Sequence, residues 1–159
     1  MAASKHRRGW AVFLFVCYLI LLLYFLFFSE EFGRIQAQHA GNQYQRIPFR
    51  YNLIPFKEIR RFIRYRHVVG FHVFFINVFG NIIAFMPMGF FLPAVTGKKL
   101  SGIQIFLLSF FVSLLVETVQ LLTKLGCFDV DDLILNTLGG FLGYLIYRTL
   151  HLLLGRWKN

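Results

Sequence analysis

Trp10-Ala11-Val12-Phe13-Leu14-Phe15-Val16-Cys17-Tyr18-Leu19-Ile20-Leu21-Leu22-Leu23-Tyr24-Phe25-Leu26-Phe27-Phe28 is a run of 19 residues without a charge, and its reading decides which solvent the chain folds in. As a helix rising ~1.5 Å per residue it is long enough to cross ~30 Å of hydrocarbon. Lys5, Arg7 and Arg8 precede it. The run outlasts the apolar region of a signal peptide and no small-x-small cleavage pattern follows, so the expectation is an uncleaved signal anchor that keeps its N-terminus. Cys17 is not read as a lipoprotein cysteine, because Val16 stands where a small residue would have to precede cleavage.

Working outward, 57% hydrophobic and 19% aromatic content in 159 residues exceeds what a soluble core of that size can hide. The 15% of charged residues sit in clusters between apolar runs, as charge must when it stays out of hydrocarbon. Further runs cover about 71–93, 103–122 and 133–154. The expected fold class is an all-α membrane protein with four transmembrane helices, the first at about 10–28, forming a single domain over 1–159.

The net charge of +10 arises from 17 Lys and Arg against 7 Asp and Glu. Nucleic acid is rejected as a partner, since the basic residues flank apolar segments and form no soluble basic face. Membrane lipids, with anionic headgroups, are the expected counter-charge. Cys17 lies in an apolar run and Cys127 in a later loop, so no structural disulfide is expected.

Between the first two spans, Phe56-Lys57-Glu58-Ile59-Arg60-Arg61-Phe62-Ile63-Arg64-Tyr65-Arg66 sets Phe56, Ile59, Phe62 and Ile63 at helical spacing with charges between them. This predicts a basic interfacial amphipathic helix, a solvated basic linker being the plainer alternative. Asn52-Leu53-Ile54-Pro55 would set its start, since proline is tolerated in a first turn. With the N-terminus in the cytoplasm, Lys98, Lys99, Arg156 and Lys158 fall inside, as the positive-inside rule prefers, and the C-terminus is cytoplasmic too. The loop with Asp129, Asp131 and Asp132 then faces outward. Arg34, Arg46, Arg50, Lys57, Arg60, Arg61, Arg64 and Arg66 in the first loop run against the rule.

Polar residues inside spans are costly and mark the candidate site. Asn77 and Asn81 are four apart on one face of span two, where Gly80, Pro87 and Gly89 allow a kink or a broken helix, Pro87 freeing the Ile83 carbonyl. Ser113, Glu117 and Gln120 share a face of span three. Asp132, Asn136, Gly139, Gly140 and Gly143 repeat at helical spacing in span four, the glycines admitting a neighbour's backbone. Antiparallel spans bring Asn77, Asn81, Glu117, Gln120, Asp129, Asp132 and Asn136 to one level in the outer half, which predicts a polar ligand-binding pocket there. Each has a plainer reading: Glu117 as a structural acceptor between helices, Asp131 and Asp132 as caps of their own helix. A divalent cation held by Glu117 beside Asp131 or Asp132 stays open; no other metal set and no cofactor is read from the residues.

The blocks Asn52-Leu53-Ile54-Pro55-Phe56, NVFGNIIAFMPMGFFLP at 77–93, Glu117-x-x-Gln120 and FDVDDLILNTLGG at 128–140 together resemble the VanZ-like family over nearly the whole chain. That resemblance implies a bacterial cell-membrane protein related to an accessory factor associated with low-level teicoplanin resistance. It maps the family motif onto Asn77, Gly80, Asn81, Phe85, Pro87, Gly89, Glu117, Gln120, Asp129, Asp132, Asn136 and Gly139. Many members of the pattern carry Arg after the glycine of the third loop, where this chain has Cys127. Any pairing made by that Arg must differ here.

Three functions remain in view. The preferred one is a non-catalytic protein that binds a lipid-linked envelope component or a lipophilic glycopeptide at the outer leaflet. The second is an intramembrane lipid-modifying enzyme using Glu117 and Asp132; against it, His6, His39, His67, His72 and His151 are scattered and no nucleophile stands beside a recognisable base. The third is a transporter or flippase, which with so few spans would need a homo-oligomer built through the Gly139, Gly140 and Gly143 face.

Overall fold

The computed structural model describes residues 6, 8–24, 51–64, 71–97, 100–123 and 126–156. Residues 25–28 of the expected first span lie outside them, as do Lys5, Arg7, Arg34, Arg46, Arg50, Arg66, Lys98, Lys99 and Lys158 of the charge argument. The described elements are α1 (Arg8–Tyr24), β1 (Tyr51–Asn52), α2 (Lys57–Arg64), α3 (Phe71–Thr96), α4 (Gly102–Thr123), β2 (Phe128–Asp129) and α5 (Val130–Arg156). The chain is helical, as its apolar periodicity requires, with one addition the sequence did not announce. β1 and β2 pair in parallel, Tyr51 opposite Phe128 and Asn52 opposite Asp129.

Among the described residues, two helices are long and apolar enough to cross a membrane by length and composition, Asn77–Thr96 within α3 and Gly102–Thr123. The expectation of four is therefore met for two. The described part of α1, Arg8–Tyr24, is shorter. α5 has the length, at 27 residues, but Asp131, Asp132, Asn136, Arg148 and four glycines dilute its apolar character.

α4 is inverted relative to a helix of a water-soluble bundle. The buried residues of α4 are Ile105, Ser109, Ser113, Val116, Glu117 and Gln120, four of them polar. Its outer face exposes Ile103, Phe111, Leu115 and Leu122, each about 60% or more accessible. In water this arrangement would lose burial on one side and desolvate polar groups on the other. In a bilayer both terms change sign of benefit, because lipid covers the leucines and protein partners satisfy the polar groups.

α3 packs most extensively on α5, and α5 next on α4. The α3–α5 contact is close enough to exclude side chains. A Cβ on Gly89 would lie 1.7 Å from the Gly140 carbonyl oxygen, one on Gly139 2.2 Å from that of Ile82, and one on Gly143 1.9 Å from that of Met86. The glycine face read as a possible contact between copies is thus occupied within the same chain, by α3 at Gly139 and Gly143 and by Ser109 of α4 at Gly140. α3 itself is not broken: helix continues through Pro87 and Pro93 to Thr96. Next to the carbonyl that Pro87 leaves without its helical donor, the Tyr18 hydroxyl donates to the Ala84 carbonyl at 2.7 Å. The helix ends at Gly97, whose φ of 64° suits glycine and whose N–H donates to the Pro93 carbonyl.

α1 runs antiparallel to α3, with Arg8 Nε donating to the Val95 carbonyl at 2.9 Å. A cation on the last carbonyls of a helix complements its dipole. Leu22 joins Phe85, Met88 and Val116 in the apolar core, with Phe15, Tyr18, Ala84, Leu92 and Val112 packed around them.

Candidate functional site

The N-terminus of α2 needs acceptors for its first amides, and the sequence offers none locally, since the residue in the cap position is Phe56. Asp131, in the first turn of α5, supplies them. Its Oδ1 accepts the Phe56 N–H and its Oδ2 accepts the Ile59 N–H at 3.3 Å. Phe56 takes a left-handed conformation, φ 62°, unfavourable for a non-glycine residue. The first helical bond, Arg60 N–H to the Phe56 carbonyl at 3.0 Å, follows directly. Asp131 is only 2% exposed, so its charge is held by these amides, with the positive end of the α2 dipole beside it.

Asp129 completes the junction. Its Oδ1 accepts from the Asn52 side-chain amide at 3.0 Å and from the Asp131 N–H at 2.8 Å, while Asn52 Oδ1 accepts the Ile54 N–H at 3.3 Å. Two short polar turns are thereby stitched to each other across the β1–β2 pair. The Asp129 N–H donates to Glu117 Oε2 at 2.9 Å, and Glu117 is 2% exposed. The single acid deep in α4 is therefore drawn into the same network.

Asn81 donates to Asp132 Oδ1, tying α3 to α5 one turn from that junction. Gln120 is buried at the end of α4 and its carbonyl accepts the Gly126 N–H at 3.3 Å; a Cβ on Gly126 would meet the Gln120 side chain at 3.0 Å. One turn further into the bundle, the Asn136 amide donates to Ser113 Oγ at 3.0 Å. Asn136 Oδ1 and Ser109 Oγ are buried without a hydrogen-bond partner. Asn77, a turn from Asn81, is exposed at the edge.

The structure thus brings Asn81, Glu117, Gln120, Asp129, Asp132 and Asn136 around the start of α5 and leaves Asn77 at the rim. Gly89 and Gly139 serve the close helix crossing, whereas a Cβ on Gly80 would meet nothing within 4 Å. Sequence reasoning missed two members. Asn52 is 5% exposed and was read only as the start of a helix, although Asn three residues before Pro is a turn signal. Asp131 is expected from the sequence as a cap of its own helix or as a cation ligand beside Glu117, whereas the structure makes it the cap of α2. Among the described residues, no group of three or more His, Cys, Asp or Glu is placed to hold a metal ion. The carboxylates accept from backbone amides and carboxamides, which joins the start of α5 to α2, α3 and β1.

A helical protein with two helices long and apolar enough to cross a membrane, buried polar residues in α4 and large apolar side chains exposed around them falls in the class of membrane proteins. The sequence matches the family model described as VanZ/LLP1 over residues 15–153, and the chain belongs to this VanZ-like family. It is similar to Protein VanZ of Enterococcus faecium, at 29% identity over 134 residues, covering 84% of this chain and 71% of that protein. No solved structure matches.

Proposed function

We propose that this protein is a multi-pass component of a bacterial cell membrane that binds a lipid-linked envelope component or a lipophilic glycopeptide at the outer leaflet, so changing antibiotic access and contributing to teicoplanin resistance. The observation that carries the reading is the junction in which Asp131 pins the basic helix α2 beside buried Glu117 and the part-buried Asn81, Asp129 and Asp132. Tyr51, Leu53, Ile54, Phe56 and Ile63 are exposed around that helix, an apolar fringe beside Lys57, Arg60 and Arg64 suited to an interfacial position. An amphiphile's headgroup meets cations and amides there while its tail stays in hydrocarbon. In this reading α1 and α5 also cross the bilayer, both termini are cytoplasmic, and no catalytic step is needed.

The test is susceptibility to teicoplanin and vancomycin in a deletion strain complemented with wild type, Asn81→Ala, Glu117→Gln or Asp132→Asn at matched membrane expression. Protection by wild type and its loss in the variants is the expected result. Equal behaviour of all four would leave the cluster a structural role only.

A further inference from the structure

Between α1 and α3 lies a groove of about 370 Å³, lined by Leu21 and Leu22 on one side and by Gly80, Ile83, Ala84 and Pro87 on the other. Its floor includes Tyr18, the residue hydrogen-bonded to the Ala84 carbonyl. Its lining on α3 runs about 10 Å along the helix axis, from Gly80 to Pro87. Leu21 and Ile83 are 67% and 60% exposed, so the groove opens sideways to the surroundings of the bundle.

The groove ends at Gly80, and the next residue, Asn81, donates to Asp132. The neighbouring Asp131 holds the N-terminus of α2, which packs on both α3 and α5. The end of the apolar groove at Gly80 and a helix with exposed Lys57, Arg60 and Arg64 therefore lie at the same end of the molecule. An apolar groove alone would not prefer any lipid, since bilayer hydrocarbon is as apolar as its lining. Preference must come from the headgroup, and cations near a membrane surface favour an anionic one.

We propose that this groove seats one acyl chain of an anionic phospholipid whose phosphate faces the cations of α2. The inference rests on the membrane reading above and not on the resistance phenotype.

The experiment reconstitutes the full chain in phosphatidylcholine vesicles carrying phosphatidylglycerol with a photoactivatable diazirine in one acyl chain, then maps the labelled residues. Labelling is expected on Leu21, Leu22 and Ile83, competed by unlabelled phosphatidylglycerol and not by phosphatidylcholine. Gly80→Phe fills open space in the groove and should lower that labelling about tenfold, with the helical circular dichroism of wild type retained. Replacing Lys57, Arg60 and Arg64 together by Gln leaves the bundle intact and should abolish the preference for phosphatidylglycerol while leaving the labelled positions unchanged. Equal competition by phosphatidylcholine or unchanged labelling in Gly80→Phe would each overturn the proposal. Groove labelling in a protein that gives no teicoplanin protection would sink the resistance reading and leave the lipid seat standing; protection without groove labelling would do the reverse.

Discussion

One face of α3 is packed to backbone contact against α5, and the opposite face is left open toward α1. Glycine serves both. Gly89 and Gly80 are nine residues apart, which at 3.6 residues per turn places them on opposite sides of the helix. Gly89 has the Gly140 carbonyl where its Cβ would stand; Gly80 has nothing within 4 Å. A glycine in an apolar helix therefore carries no single meaning, because the same missing side chain admits a neighbour on one face and makes a hollow on the other.

The comparison breaks first on the tight side. Gly139→Leu or Gly143→Leu drives a side chain into the backbone of α3 and should cost ~3 kcal/mol or more, seen as loss of folded protein in reversible detergent denaturation. If either variant is as stable as wild type, the close α3–α5 crossing is wrong. Next comes the junction that sets the relation of α2 to both faces. Asp131→Ala leaves the Phe56 and Ile59 amides without their acceptor and should cost ~1–3 kcal/mol, with faster amide exchange confined to the start of α2; Asp131→Asn should recover part of it. Within the α4–α5 contact, Asn136→Leu removes the bond to Ser113 together with an unpartnered buried oxygen, so its effect should stay within about 1 kcal/mol of zero by the same denaturation measurement. The smallest change is on the open side. Gly80→Ala meets no atom and should stabilise α3 by about 0.5–1 kcal/mol through helix propensity, raising the denaturation midpoint slightly.

Much of this arrangement was legible in the chain. The runs expected at 71–93, 103–122 and 133–154 became Phe71–Thr96, Gly102–Thr123 and Val130–Arg156, with no end displaced by more than three residues. The basic helix expected over Phe56 to Arg66 became Lys57–Arg64. The levelling of polar residues from three helices was also readable, because rise per residue and reversal of direction fix depth without any knowledge of packing. Asn81 with Asp132, and Glu117 with the loop before α5, met as that count implied. Asn77 did not follow Asn81 inward, since sharing a helical stripe does not say where the stripe stops being covered.

The sequence by itself determined the helices and the family: long uncharged runs call for intrachain helical hydrogen bonding, and motif blocks spread over the whole chain carry the kinship. Only the tertiary structure decided that Asp131 caps a helix 72 residues away, that Asn52 and Asp129 sit across a two-residue parallel pair, and that Gly139 and Gly143 of α5 meet α3 while Gly140 meets Ser109 of α4. The physical reason is separation along the chain. Periodicity and capping preference are local properties, whereas the acceptor for an orphan amide or the partner of a glycine face is chosen by whichever segment the fold brings within a few ångströms.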